Sequence, residues 1–281
     1  MIPTRPPIAG AVLALLLSIA SAGAGAEEAK KYPAFAGMWN RASKPSTWDV
    51  TKPAGPGQQA PLKPEYQAIY ADNRAKQKGG QYFDPQAACK PTGMPRMMTI
   101  YDPMEIVVTP AVTYMLLEAT SPIRRIFTDG RSWPQDPNPG FAGISHGTWI
   151  DTSGSGTYDR LEVETRFLKG RRIVEATGIP LAEDGSTIIK ERLWLDPKDP
   201  DLMHNEITTI DDAFTRPWTV ERQYRREHDP VWEEYNCMED NRWVVLGGYI
   251  YMLDEDGYLM PSAKDEPPPD PKLFEKYFKK K

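Results

Sequence analysis

Residues 158–168 read YDRLEVETRFL, and residues 187–195 read TIIKERLWL. In the first stretch Leu161, Val163 and Thr165 fall on one face of an extended chain, and Glu162, Glu164 and Arg166 fall on the other. In the second, Glu191 and Arg192 divide in the same way, one inward and one outward. Alternation of this kind predicts half-buried β-strands. Outward from these two, further strands are expected at 104–109, 113–119, 123–127, 146–151, 172–178, 204–211, 218–225 and 232–240. Thr-Pro-Ala-Val, Asp129-Gly130, Lys169-Gly170 and Asp184-Gly185 supply turns between them. Residues 244–253 form either a last strand or a short amphipathic segment. About ten short strands at regular spacing point to an all-β sandwich or barrel. Tight turns between antiparallel neighbours favour an up-and-down barrel or half-barrel of lipocalin-like type. The chain has no G-x-G-x-x-G, P-loop or strand–helix alternation, so nothing suggests a nucleotide-binding α/β domain.

The rest of the chain is organised around that sheet. Of the 281 residues 28 are Pro, a proportion above the usual, and they crowd into the part before Gly140. Proline is excluded from central strands, so the proline-poor stretch from Gly140 to Met260 marks the heart of the sheet. Residues 27–103 are expected to be a proline-rich arm wrapping the barrel, with one helix over 65–78 starting near Pro64. There Tyr66, Ile69, Tyr70 and Asn73 share a face. The expected units are residues 1–26, 27–103, 104–243 for the antiparallel barrel, and 244–281 for a final strand and tail.

Residues 1–26 have the form of a secretory signal peptide. Arg5 gives a positive start, an apolar run follows, and Ala24-Gly25-Ala26 fits a cleavage site. The apolar run is shorter than the roughly 20 residues of a membrane span, so no transmembrane segment is expected after cleavage. A periplasmic or secreted location follows. There the only two cysteines, Cys89 and Cys237, are expected to pair. In the loop-entropy model so long a closure contributes about 4–5 kcal/mol. The net charge of −5 argues against a nucleic-acid partner. The three histidines are dispersed, without the spacing of a metal site, and no cofactor motif is present.

Polar residues that carry chemistry cluster in two places. Arg124, Arg125, Asp129 and Arg131 crowd one turn, where guanidiniums hold either a carboxylate-bearing ligand or each other's acidic neighbours. His146 stands between Ile144 and Thr148, beside glycines that permit close approach of another group. Ser145 next to it is no dyad partner, because strand neighbours point to opposite faces. Charged residues that point into a barrel are costly unless paired, so whichever of Glu191 and Arg192 faces inward belongs to a candidate site. Trp149 and Trp218 are among the aromatics placed to line an apolar pocket.

Four blocks carry a family resemblance. They are C-x-P-x-G-M-P-R-M-M at 89–98, R-R-I-x-T-D-G-R at 124–131, G-x-S-x-G-x-W at 143–149 and T-R-P-W-T-V at 215–220, followed by a late cysteine. The chain resembles, over roughly residues 60–265, a widespread family of exported bacterial proteins that share these blocks. The resemblance implies export and brings no activity with it. Many relatives have His at the place of Ile144; here the histidine is two positions on, on the same strand face.

Two functions remain open, ahead of a purely structural envelope role. One is a barrel that binds a small apolar or aromatic ligand in its interior, through Arg124, Arg125, Trp149, Glu191, Arg192 and Trp218. The other is a cofactor-independent lyase, isomerase or hydrolase acting on a small aromatic or carboxylated substrate inside the barrel. In that case Asp129, Arg131 and His146 supply acid–base work and anion stabilisation.

Overall fold

The computed structural model describes residues 31–42, 49–52, 58–78, 86, 89–99, 103–118, 123–170, 172–233, 236–237, 242–246, 249–254, 256–261, 269 and 272. The expected signal peptide, part of the wrapping arm and most of the tail lie outside them.

Nine strands close into a barrel. They are β1 (Gly37–Arg41), β2 (Met104–Val108), β3 (Val112–Leu117), β4 (Arg124–Phe127), β5 (Ile144–Ile150), β6 (Arg160–Arg166), β7 (Ile188–Leu195), β8 (Leu202–Ile210) and β9 (Trp218–Arg226). Neighbours in sequence are neighbours in the barrel, and β1 pairs with β9 to close it. The barrel is not wholly antiparallel, as the up-and-down reading required. Strands β4 and β5 run parallel, because the long proline-rich connection 128–143 carries the chain back to the end where β4 began. The barrel also starts earlier than residue 104. Its first strand comes from the expected arm, where five residues with no alternation long enough to read are held between β2 and β9.

Other expectations shift for equally local reasons. Residues 172–178 make a turn with one isolated bridge, Ile173 to Pro180, instead of a strand. Buried Arg172 there donates to the Ala182 carbonyl and the Thr187 hydroxyl, and Glu175 accepts from Thr177. Such local bonds replace a strand ladder. No strand forms at the described residues of 232–240, where Trp232 is 44% exposed. Residues 243–261 build a separate three-stranded sheet of β10 (Trp243–Leu246), β11 (Tyr249–Leu253) and β12 (Leu259–Pro261). Helix α1 (Pro64–Lys78) forms as read, but it docks through Tyr66, Tyr70 and Asn73 and leaves Ile69 exposed. Asn73 Nδ2 donates to the Gly178 carbonyl at 2.8 Å. Cys89 and Cys237 form the expected disulfide. Among the described residues no helix is long and apolar enough to cross a membrane.

Inside, the alternation sorts side chains cleanly. Strand β6 buries Leu161, Val163 and Thr165, and β7 buries Ile189, Glu191 and Leu193. The G-x-S-x-G-x-W block is the inward face of β5. Gly143 has φ +67°, and a Cβ there would lie 2.5 Å from the Arg166 carbonyl. At Gly147 a Cβ would lie 2.6 Å from Ile126 Cγ2, so only glycine lets β4 and β5 meet there.

At the centre Arg124, with no exposed surface, spans from β4 to Glu191 on β7. Its Nη1 donates to Glu191 Oε1 at 3.1 Å and its Nη2 to Oε2. Nη2 also donates to Thr165 Oγ1 at 3.1 Å and Nε to Ser145 Oγ at 3.3 Å. Asn205 Nδ2 donates to Glu191 Oε1 at 3.0 Å. Met98 and Met115 close over the guanidinium with their sulfurs. Removing one member of a buried pair strands the other charge. Arg124→Met should therefore cost about 3–5 kcal/mol in urea unfolding, and Arg124→Met with Glu191→Met should recover most of it. A single-variant cost below about 1 kcal/mol, the scale of an exposed pair, would show that the pair is not desolvated.

A second buried acid lies near one end of the barrel. Burial pushes the Glu175 carboxyl up to about 7, against the opposing pull of the Thr177 N–H and of Arg222, Arg96 and Arg74. A raised folded-state pKa means that the folded protein holds this proton more tightly than the unfolded chain does. Its contribution is full below the ordinary carboxylate range and is lost as pH rises toward 7. Glu175→Gln should thus raise the melting temperature relative to wild type more at pH 8 than at pH 5. Equal differences at the two pH values would refute this linkage.

Candidate functional site

The outward side chains of β5 to β8 line a groove of about 770 Å³. Its floor is ordered by strand register. One row runs His146, Glu164, Lys190, Thr208, and the next runs Thr148, Glu162, Arg192, Glu206. Strand β6 therefore presents two carboxylates side by side, and β7 presents two cations beside them. The ion pairs across the floor are open to water. Arg166 and Lys190 both reach Glu164, Lys190 at 3.5 Å, and Arg192 binds Glu206. Among the described residues Glu162 pairs with Arg160 alone, at 3.7 Å, because Arg192 opposite it turns to Glu206 instead. Lys190 and Arg192 keep at least half of their side-chain surface exposed.

An aromatic wall closes the β5 side. Trp133, from the connection 128–143, stacks on His146 with ring centres 3.8 Å apart and planes within 5°. Arg166 lies 4.8 Å from the Trp133 ring, and Phe127 meets His146 edge-on at 6.2 Å. Behind Phe127, Arg131 sits 3.9 Å over its ring and is held by two nitrogens on Asp129, with Nη2 at 2.6 Å. The Arg131 hydrogen bonds draw the Asp129 carboxyl down to about 2. Burial lowers the His146 pKa from its ordinary value; Arg131 and Arg166 add to this, while Asp129 and Glu164 oppose it. Burial thus favours the neutral imidazole, and no hydrogen bond to another described residue engages either ring nitrogen.

The residues read from the sequence thus separate into three places. Asp129, Arg131 and His146 do gather, but outside the barrel, with His146 lining the groove and the other two behind Phe127. Arg124 and Glu191 lie inside and bind each other. Trp149 packs in the core with Tyr32, Phe35 and Tyr158, and Trp218 packs against Phe214. Arg125 is exposed on β4, and Arg192 is on the groove floor. Arg124 and Glu191 thus meet each other, while Trp149 and Trp218 pack on other aromatic rings. Glu162, Glu164 and Arg166 were legible as the face opposite Leu161, Val163 and Thr165, and Lys190 was missed; nothing in one sequence marks an outward row as a floor until Trp133 is seen to wall it. Among the described residues no three acidic, histidine or cysteine side chains gather as a metal site.

No protein-family model and no curated protein matches the chain.

The electrostatic arrangement at His146 has a direct readout. Arg131→Ala removes a repelling cation and frees the Asp129 carboxylate, so the His146 pKa should rise in an NMR titration. A fall, or no change, would mean that Arg131 does not act on this imidazole.

Proposed function

We propose that the protein is an exported binder of a small aromatic molecule carrying a charged group, held in the outer groove of β5–β8. The observation that carries this is the groove itself: about 770 Å³, walled on one side by Trp133 and His146 and floored by exposed ion pairs. That volume lies within the usual range of small-molecule sites. Exposed pairs contribute only about 0.2–1 kcal/mol each. A ligand charge therefore replaces one partner at little cost, for instance a carboxylate taking Lys190 from Glu164. The buried Arg124–Glu191 pair offers no such exchange, because the Arg124 guanidinium already donates to Glu191, Ser145 and Thr165. The reading accordingly moves from the interior to the outer face. Export is supported by the N-terminal signal pattern and fits the Cys89–Cys237 disulfide. The family resemblance is in keeping with it.

A second reading rests on His146. An imidazole whose neutral form is favoured and that has no hydrogen-bond partner among the described residues, at the edge of a water-accessible groove, is poised as a general base. The protein would then convert its ligand as well as bind it.

Thermal shift and calorimetry against small charged aromatic molecules separate these readings. Binding should raise the melting temperature, and Trp133→Ala should weaken it at least tenfold. An absence of binding across the panel, or full binding by Trp133→Ala, would remove the groove as the site. Time-resolved NMR of a bound ligand tests the second reading. Conversion that is lost in His146→Gln supports it, and an unchanged ligand dismisses it.

A further inference from the structure

The groove floor has an order that specifies more than charge. Across the strands lie an aromatic wall at β5, two carboxylates at β6 and two cations at β7. The register puts His146, Glu164 and Lys190 in one line. Adjacent strands are about 4.8 Å apart, so the acidic and basic columns are neighbours that flexible Glu and Lys side chains bridge. Two side chains in these columns are the least committed. Among the described residues the Glu162 side chain, 46% exposed, pairs with Arg160 alone, at 3.7 Å, and the Lys190 side chain, 57% exposed, with Glu164 alone, at 3.5 Å.

We infer that the groove takes a zwitterion with an aromatic group, of the aromatic α-amino-acid class, lying across the strands. Its ring rests at the Trp133–His146 wall, its ammonium meets Glu162 and Glu164, and its carboxylate meets Lys190 and Arg192. This rests on the groove being the binding site, and it adds the ligand's charge pattern and direction. A molecule with only a carboxylate satisfies the β7 column but adds a negative charge beside Glu162 and Glu164. A molecule with only an ammonium meets the converse at Lys190 and Arg192. A zwitterion leaves the net charge of the floor unchanged and opposes each column with its complement. The neutral imidazole of His146 also does not repel an ammonium group on the adjacent strand.

The test uses L-phenylalanine with three probes that each lack one feature: 3-phenylpropionate without the ammonium, L-phenylalaninamide without the carboxylate, and glycine without the ring. Calorimetry on the full chain should show L-phenylalanine binding at least tenfold more tightly than any of the three. Glu162→Gln with Glu164→Gln removes the two outward carboxylates of β6 and leaves its inward Leu161, Val163 and Thr165 in place. That variant should lower L-phenylalanine affinity to the level of 3-phenylpropionate, with an unchanged circular dichroism spectrum. Equal affinity for L-phenylalanine and 3-phenylpropionate, with both lost in Trp133→Ala, would overturn the zwitterion while leaving the groove as the site. L-phenylalanine binding that survives Trp133→Ala, or no binding of any probe, would overturn both.

Discussion

The buried bidentate contact between Arg124 and Glu191 is the constraint on which the rest of the barrel depends. Taking a guanidinium and a carboxylate out of water costs several kcal/mol per ion. Their attraction offsets this only because the remaining hydrogen-bonding capacity is filled by Ser145, Thr165 and Asn205. Strands β4 to β8 each contribute one member to this network. A well-packed apolar pair of similar volume would be no less stable, so the value of the pair lies in register more than in raw stability. A one-residue slip of β7 would turn Glu191 to solvent and bring Lys190 or Arg192 inside. Either cation would then face Arg124 with no buried acid to meet it.

That same constraint builds the outer face. With Glu191 fixed inward, Lys190 and Arg192 must point outward; with Thr165 fixed inward, Glu164 and Arg166 must do so too. Pairing of β6 with β7 then sets Glu162 opposite Arg192 and Glu164 opposite Lys190. The charge columns of the groove are thus a by-product of the polar core, printed through the sheet by the period of two. Inside and outside use the same chemistry with opposite consequences. The interior pair is desolvated and saturated, so it has nothing to offer a ligand. The exterior pairs are hydrated and interchangeable, which is the condition for exchange with one.

How far the fold was legible follows from the same period. Strand β6 lies within the stretch 158–168 read for it because seven residues alternate without interruption, whereas β5 begins at Ile144, two residues before the strand expected at 146–151. Strand β1 escaped because Gly-Met-Trp-Asn-Arg is too short to show a period, and only closure against β9 makes it a strand. The parallel β4–β5 pair escaped because direction depends on where a proline-rich connection lands. Residues 172–178 misled because Ile173 and Val174 look like strand residues, while buried Arg172 donates to Ala182 and Thr187 and Glu175 accepts from Thr177. The candidate site was legible only in pieces. Asp129, Arg131 and His146 were recognisable as chemistry-bearing and do lie together, but the side of the sheet they occupy is set by the inward Arg124 and Ser145.

The position of His146 shows how the core tunes the groove without touching it. Ser145 must face inward to accept from Arg124, so His146 must face outward onto the path of the 128–143 connection. Trp133 on that connection covers one face of the imidazole, and the β4 turn brings Phe127 and Arg131 up behind it. Partial burial and the Arg131 charge then favour the neutral ring. The result is an imidazole with no hydrogen bond to a described residue, at the aromatic end of a floor that carries ion pairs of Glu164 with Lys190 and of Arg192 with Glu206. That contrast gives the groove a distinguishable head and tail, and so a direction in which a ligand of mixed character fits.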